Sequence, residues 1–196
     1  MRNRSQTYSE RSARGIKLFA ALLIVSAVIV VIWRLLLPQI EMRRYPIRYS
    51  SEVAVSASEF GLPEELVYAV ILTESSFRED AVSHAGAKGL MQLTDDANDW
   101  AAFMLREDSE PERIFEPGQN IRRGCCLLSY LIKEFGSTET ALAAYNAGIG
   151  RVRGWLGDAD YSSDGTTLHT IPIRETREYV KKVASACEKY RELYFK

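Results

Sequence analysis

The chain has 196 residues, 46% of them hydrophobic and 26% charged, with a formal net charge of −1. These totals, with a single long apolar stretch, exclude a collagen-like or disordered chain, a strongly basic nucleic-acid binder, a multi-span transporter and a purely cytosolic globule. Charge is unevenly placed: residues 1–17 net +4, residues 18–37 carry only Arg34, and residues 38–196 are left with −6.

Residues 18–37 read as a transmembrane helix. Leu18–Trp33 contains no charge, and about twenty residues at about 1.5 Å each cross the roughly 30 Å hydrocarbon layer. Arg34 can snorkel to the headgroups, and Trp33 sits where an interfacial aromatic is expected. The basic tail 1–17 is expected in the cytoplasm, which places residues 38–196 outside as a single-pass membrane protein. A cleaved signal peptide is the alternative; the apolar stretch is long for one, and no A-x-A-type site follows it.

Residues 38–52 are polar, contain Pro38 and Pro46, and read as a linker. From residue 53 to 196 helical spacing dominates, so the fold class is all-α. Val53–Phe60 is a short helix stopped by Gly61. Pro63 suits the first turn of the next helix, with Glu64 and Glu65 at its positive end. Residues 78–93 read as a loop. Thr94 caps a helix through Leu105, and Pro117 opens one that runs to Gly136 with Ile121, Cys125, Leu128, Ile132 and Phe135 on one face. Thr138 caps a helix through Tyr145. Pro172 precedes a last helix with Tyr179, Val183, Cys187, Tyr190 and Tyr194 on one stripe.

Glu74 departs from this pattern. It follows Val67, Val70 and Ile71 by seven, four and three positions, so it projects from the apolar face of its helix. Burial and the negative end of the helix dipole both raise the pKa of a carboxyl placed there. A carboxylic acid partly protonated near neutral pH is suited to general acid catalysis. Spacing alone equally allows a helix-end glutamate satisfied by a buried arginine or a backbone N–H.

Four motifs occur in order: Thr73-Glu74-Ser75-Ser76-Phe77, Gly86-Ala87-Lys88-Gly89-Leu90-Met91-Gln92-Leu93, Ala144-Tyr145-Asn146-Ala147-Gly148 and Glu175-Thr176-Arg177-Glu178-Tyr179-Val180. Asn120-Ile121 and Gly148-x-Gly150-x-Val152 lie between them. Over roughly residues 53–191 the chain resembles the soluble-lytic-transglycosylase-like (SLT) domain, the family 1 lytic transglycosylases of bacterial peptidoglycan. The resemblance implies a lysozyme-like helical domain related to goose-type lysozyme. It implies a substrate, the peptidoglycan glycan strand, cut at the β-1,4 bond between N-acetylmuramic acid and N-acetylglucosamine to leave 1,6-anhydromuramyl ends.

By the resemblance Glu74 is the sole acid/base. It protonates the glycosidic oxygen, then takes the proton of the muramic C6 hydroxyl as that oxygen attacks C1. An intramolecular hydroxyl of high effective concentration replaces the second carboxylate of ordinary glycosidases. Ser75 bonds substrate or the Glu74 surroundings, or is a helix-end serine facing backbone. Gly86 and Gly89 let backbone approach a sugar, or simply form a turn. Gln92 lines the cleft, and so does Met91, although spacing alone puts Met91 in the core. Tyr145 points its hydroxyl at Glu74, Asn146 fixes a turn through backbone, and Glu175 supports the tyrosine. Tyr179 reaches the cleft or packs in the core. The chain departs from the family at residues 94–98, where TDDAN replaces Met-Pro-x-Thr-Ala. It departs again at 157–170, a polar segment read as a mobile groove wall or a surface loop.

Cys125, Cys126 and Cys187 fall outside the membrane on this topology, where one of the first two can bridge to Cys187 or all three remain buried thiols. His84 and His169 show no metal-ligand spacing with them, and no phosphate-binding glycine loop is present, so neither metal nor cofactor is expected. Competing functions are a muramidase on the same fold, with Asp95 or Asp96 activating water at about 6.5–9.5 Å from Glu74; a silent glycan-binding or assembly module; and a membrane tether carrying a protein-binding domain. Protein partners are not specified by the sequence.

Overall fold

The computed structural model describes residues 4–195, with side chains placed for 17–36 and 39–195. The basic side chains of residues 1–16, expected in the cytoplasm, lie outside the described ones. The chain forms two compact units that divide between Pro46 and Ile47.

The first unit is a helix, α1 (Arg4–Arg44). Its segment Lys17–Arg44 is long and apolar enough to cross a membrane and buries none of its apolar window against protein. The segment 38–52, expected as linker, is helical at both ends. α1 continues to Arg44, ending on two arginines that favour its negative pole, and the next helix starts at Ser50.

The second unit comprises α2 (Ser50–Phe60), α3 (Glu64–Ser75), α4 (Asp95–Leu105), a 3₁₀ turn at Pro111–Arg113, α5 (Pro117–Phe135), α6 (Thr138–Ala147), α7 (Ile149–Leu156) and α8 (Arg174–Tyr194). Among the described residues there is no strand; isolated bridges pair Val82 with Lys88 and Lys88 with Leu93.

Local chemistry sets the helix ends. Gly61 and Gly136 take left-handed conformations, at φ 66° in both, and close α2 and α5. Thr94 accepts a hydrogen bond from the Ala97 N–H and caps α4 as expected. Pro63 stands one residue before α3 as its N-cap rather than inside it. Ser137, not Thr138, caps α6 by accepting from Thr140 N. α7, which the sequence did not disclose, buries Val152 and Trp155.

α5 is the axis of the unit and packs on α2, α4 and α6, while α8 packs on α3 and α6. Ile121, Cys125, Leu128 and Leu131 on α5 are buried, as are Val67, Val70 and Ile71 on α3. On α8 the buried stripe is Tyr179, Val183, Ala186 and Tyr190; Cys187 is only half-buried. Tyr190 stacks on Tyr68 at 5.3 Å between ring centroids. Cys125, Cys126 and Cys187 are all free thiols. The segment 157–170 is tied down by hydrogen bonds: Asp164 Oδ1 accepts from the N–H groups of Thr166 and Thr167 at 2.8 and 2.7 Å, and Tyr161 O accepts from His169 N at 3.0 Å.

Candidate active site around Glu74

α3 delivers Glu74 on its last turn. Ser76 stops the helix at φ 53°, its N–H donating to Leu72 O at 3.1 Å. Phe77 follows at φ 62° and is buried, packing against Tyr68. Two successive non-glycine residues in the left-handed region cost of order 1–3 kcal/mol each, and the packing of Phe77 holds the second in place. Guanidinium groups satisfy the carbonyls of this exit: Arg78 Nε donates to Ser75 O at 3.2 Å and Arg48 to Phe77 O at 3.3 Å. Ser75 is buried and donates to Ile71 O, so its hydroxyl is spent on its own helix.

Glu74 is half-buried with its pKa raised to about 7, first by loss of hydration and with a smaller opposing effect of the Tyr179 hydroxyl. Among the described residues no cation and no backbone N–H engages it, so the buried-arginine alternative does not hold. Two phenols surround it. Tyr179, from α8, is buried and lies close enough to shift the carboxyl, yet its hydroxyl lacks a partner at full hydrogen-bonding distance and angle. Tyr145, from α6, donates to Met91 O at 2.8 Å rather than to Glu74, although the two sense each other electrostatically. Burial holds both phenols well above their ordinary pKa, so they stay neutral.

The loop 86–93 is fixed from beneath. Asn120, fully buried on α5, accepts from Met91 N at 2.7 Å and donates to Ile114 O at 2.8 Å and Lys88 O at 3.1 Å. Gly89, at φ 76°, leaves room for this amide: a Cβ there falls 2.8 Å from Asn120 Cγ. The missing side chain thus admits Asn120. Met91 does not line a cleft with its side chain, which is fully buried against Gly124. Gln92 is half-buried and its amide nitrogen donates to Ala81 O and Gly89 O.

Two expected site residues stay apart. Glu175 is exposed in the first turn of α8, where the helix dipole favours it. Asn146 is exposed on the rim of a cavity and makes no side-chain hydrogen bond among the described residues. That cavity, about 510 Å³, opens beside Tyr145 between α4, α5 and α6, with Trp100, Leu127 and Leu131 in its walls. A larger cavity of about 880 Å³ lies at the N-terminal end of α5 among Glu52, Arg113, Arg122 and Arg123, and Glu74 lines neither cavity.

From spacing and motifs alone, Asn120, Gly124 and Trp100 carry no expected role. Asn120-Ile121 stands between the motifs in the sequence, but nothing there connects it with the 86–93 loop. The divergent segment 94–98 has a structural counterpart: Asn98 is buried and accepts from Arg123 at 2.8 Å, tying the start of α4 to α5.

Residues 52–166 match the transglycosylase SLT domain, and the chain belongs to this family. It is 34% identical over 152 residues to the soluble lytic murein transglycosylase of Escherichia coli K12, covering 76% of this chain and 24% of that protein. It is 32% identical to the membrane-bound lytic murein transglycosylase C of Pectobacterium atrosepticum, covering 74% of this chain and 47% of that one. An inactive glutamate-to-glutamine mutant of lytic transglycosylase Slt from Pseudomonas aeruginosa superimposes with a TM-score of 0.69 at 33% identity, over 78% of this chain and 25% of that one. A complex of the 70-kDa soluble lytic transglycosylase with bulgecin A gives 0.68 at 32% identity over the same shares. The all-helical, lysozyme-like fold is that of these proteins. The chain spans about a quarter of the length of the soluble relatives and about half that of the membrane-bound ones.

Proposed function

We propose that the chain is a membrane-anchored peptidoglycan lytic transglycosylase with Glu74 as its single acid/base. The observation that carries this is a carboxyl without a cation, held between two neutral phenols with a pKa of about 7. Such a group is protonated often enough to give its proton to a glycosidic oxygen and weak enough as an acid to take one back. Tyr179, with its hydroxyl unspent, is the donor that steadies the carboxylate once the proton has left. The muramic C6 hydroxyl then attacks C1, losing its proton to Glu74, and the anhydro ring closes without water.

Tyr145 and Asn120 act on position: each holds the Met91 backbone, which fixes the loop beside the acid. Ser75 and Gln92 support the same walls through backbone bonds. Residues 18–37 are the anchor, the tail 1–17 is cytoplasmic, and the unit from Ile47 faces the wall. Relatives named as membrane-bound support attachment to a membrane.

Asp96, which lines the cavity beside Tyr145, keeps a muramidase as the second reading; Asp95 is engaged by Lys88 at 2.7 Å. Mass spectrometry of digested sacculi separates the two. Anhydromuramyl ends are expected from the wild type, and Glu74→Gln is expected to lower the rate by at least about 10³-fold. Reducing ends in place of anhydro ends assign the muramidase. Unaltered cleavage by Glu74→Gln removes Glu74 from the chemistry.

A further inference from the structure

The cavity beside Tyr145 contains an aromatic residue that the chemistry of Glu74 does not use. Trp100 is half-buried on α4, two residues past the divergent segment 94–98. Its ring meets Tyr130 edge-on at 4.7 Å between centroids, which fixes the indole from one side. Leu127 and Leu131 line the cavity together with the α6 end at Tyr145. Its lining is mainly apolar, with the side chains of Asp96 and Asn146 exposed at the rim. An apolar wall with an immobilised indole and a few convergent polar groups is built for a ligand with one apolar face and a polar edge. A pyranose ring has that shape, with axial C–H groups on a face and hydroxyls around it. Tyr145 lines this cavity, which Glu74 itself does not, and also senses the Glu74 carboxyl, so the cavity lies one side chain away from the acid.

We propose that Trp100 is a specificity-determining platform that holds a sugar of the strand next to the one being cut, with Asp96 and Asn146 reaching its hydroxyls. This rests on the glycan-cleaving reading for the identity of the ligand. The platform makes ground-state and transition-state contacts alike, so it acts on binding and not on the chemical step.

The test uses the full chain in detergent micelles, with a hexamer of N-acetylglucosamine as the binding probe and purified glycan strands as substrate. The chain has three tryptophans: Trp33, Trp100 and Trp155. Addition of the hexamer is expected to change the intrinsic fluorescence of the wild type and of Trp155→Phe, and to leave Trp100→Phe unchanged. On glycan strands Trp100→Ala is expected to raise KM about tenfold with kcat kept within about twofold. Trp100→Phe, which preserves the contact with Tyr130, is expected to fall between the two and secures the result if the alanine variant folds poorly.

A hexamer response that persists in Trp100→Phe, or a Trp100→Ala loss borne by kcat with KM unmoved, overturns the platform. Glu74→Gln distinguishes this from failure of the catalytic reading. It is expected to bind the hexamer with the wild-type fluorescence change while cleaving nothing. If it cleaves, the catalytic reading fails and the fluorescence arm still decides Trp100.

Discussion

What separates Glu74 from the other glutamates of the helical unit is loss of hydration without a compensating cation. Glu59 and Glu107 share Arg122, Glu110 and Glu116 share Arg113, Glu134 holds Arg153 and Glu65 holds Arg191. Those pairs are partly exposed and contribute little each. Among the described residues Glu74 has two phenols nearby and no partner charge, so burial raises its pKa to about 7. The sign for stability follows. An unfolded glutamate releases its proton near pH 4.5, whereas the folded one keeps it until about pH 7, so the native state binds more protons in that window. Stability contributed by Glu74 is therefore full below pH 4.5 and is lost as pH rises through 7. Glu74→Gln is expected to match the wild type near pH 4 and to exceed it at pH 8 by up to about 3 kcal/mol, read by chemical denaturation at the two pH values. A gap that does not widen with pH would place the carboxyl in water. The activity of the wild type is expected to fall on the alkaline side with an apparent pKa of about 7, as the acid form disappears. Glu74 was legible because a carboxylate on an apolar helix stripe has few explanations. Tyr179 was named only through the family resemblance, with core packing as its alternative, because on α8 the same stripe serves the core and faces Glu74.

At the level of the helices, legibility followed how local the cause is. Gly61, Gly136 and Thr94 end or start their elements through their own backbone or hydroxyl, and each acts where it was expected. α6 shows the limit: Ser137 and Thr138 are both able to cap, and the choice of Ser137 depends on where α5 stops. The clamp beneath the 86–93 loop was invisible for a stronger reason. Asn120 reaches Met91 across 29 residues of sequence, and no spacing rule connects them. Gly124 belongs to the same assembly: a Cβ there falls 2.8 Å from Met91 Cβ. Gly124→Ala adds helix propensity, yet overpacking outweighs it, because Met91 is anchored at both backbone polar groups and cannot withdraw. The variant is expected to lose about 1–3 kcal/mol in thermal or denaturant unfolding. Activity is expected to fall further than stability alone predicts at a temperature where both proteins are folded, because the loop beside Glu74 shifts. Wild-type stability in Gly124→Ala would show that the Met91 side chain is free to move.

For the whole molecule, the proposed function assigns attachment to the first unit and chemistry to the second. The helical unit owns its core, centred on α5, and the surroundings of Glu74 are drawn from α3, α6 and α8 within it. α1 has no such core. Its Lys17–Arg44 stretch of 28 residues buries none of its apolar window, and at about 1.5 Å per residue it is about 42 Å long, more than the roughly 30 Å hydrocarbon layer. Exposed Leu22, Ile29, Val30 and Trp33 make that helix insoluble in water unless lipid covers it. Full-length protein is therefore expected in the membrane fraction, resistant to high salt and released by detergent, with protease added from the wall side digesting residues after Pro46. A chain lacking residues 1–46 is expected in the soluble fraction with its cleavage of short glycan strands kept within about twofold, since Glu74, Tyr145 and Tyr179 all lie in the unit that starts at Ile47. Intact mass of the membrane-extracted protein decides the remaining question. A mass beginning ahead of residue 18 fits the anchor, and one beginning past residue 37 shows that the segment is removed and that the wall-facing unit works untethered.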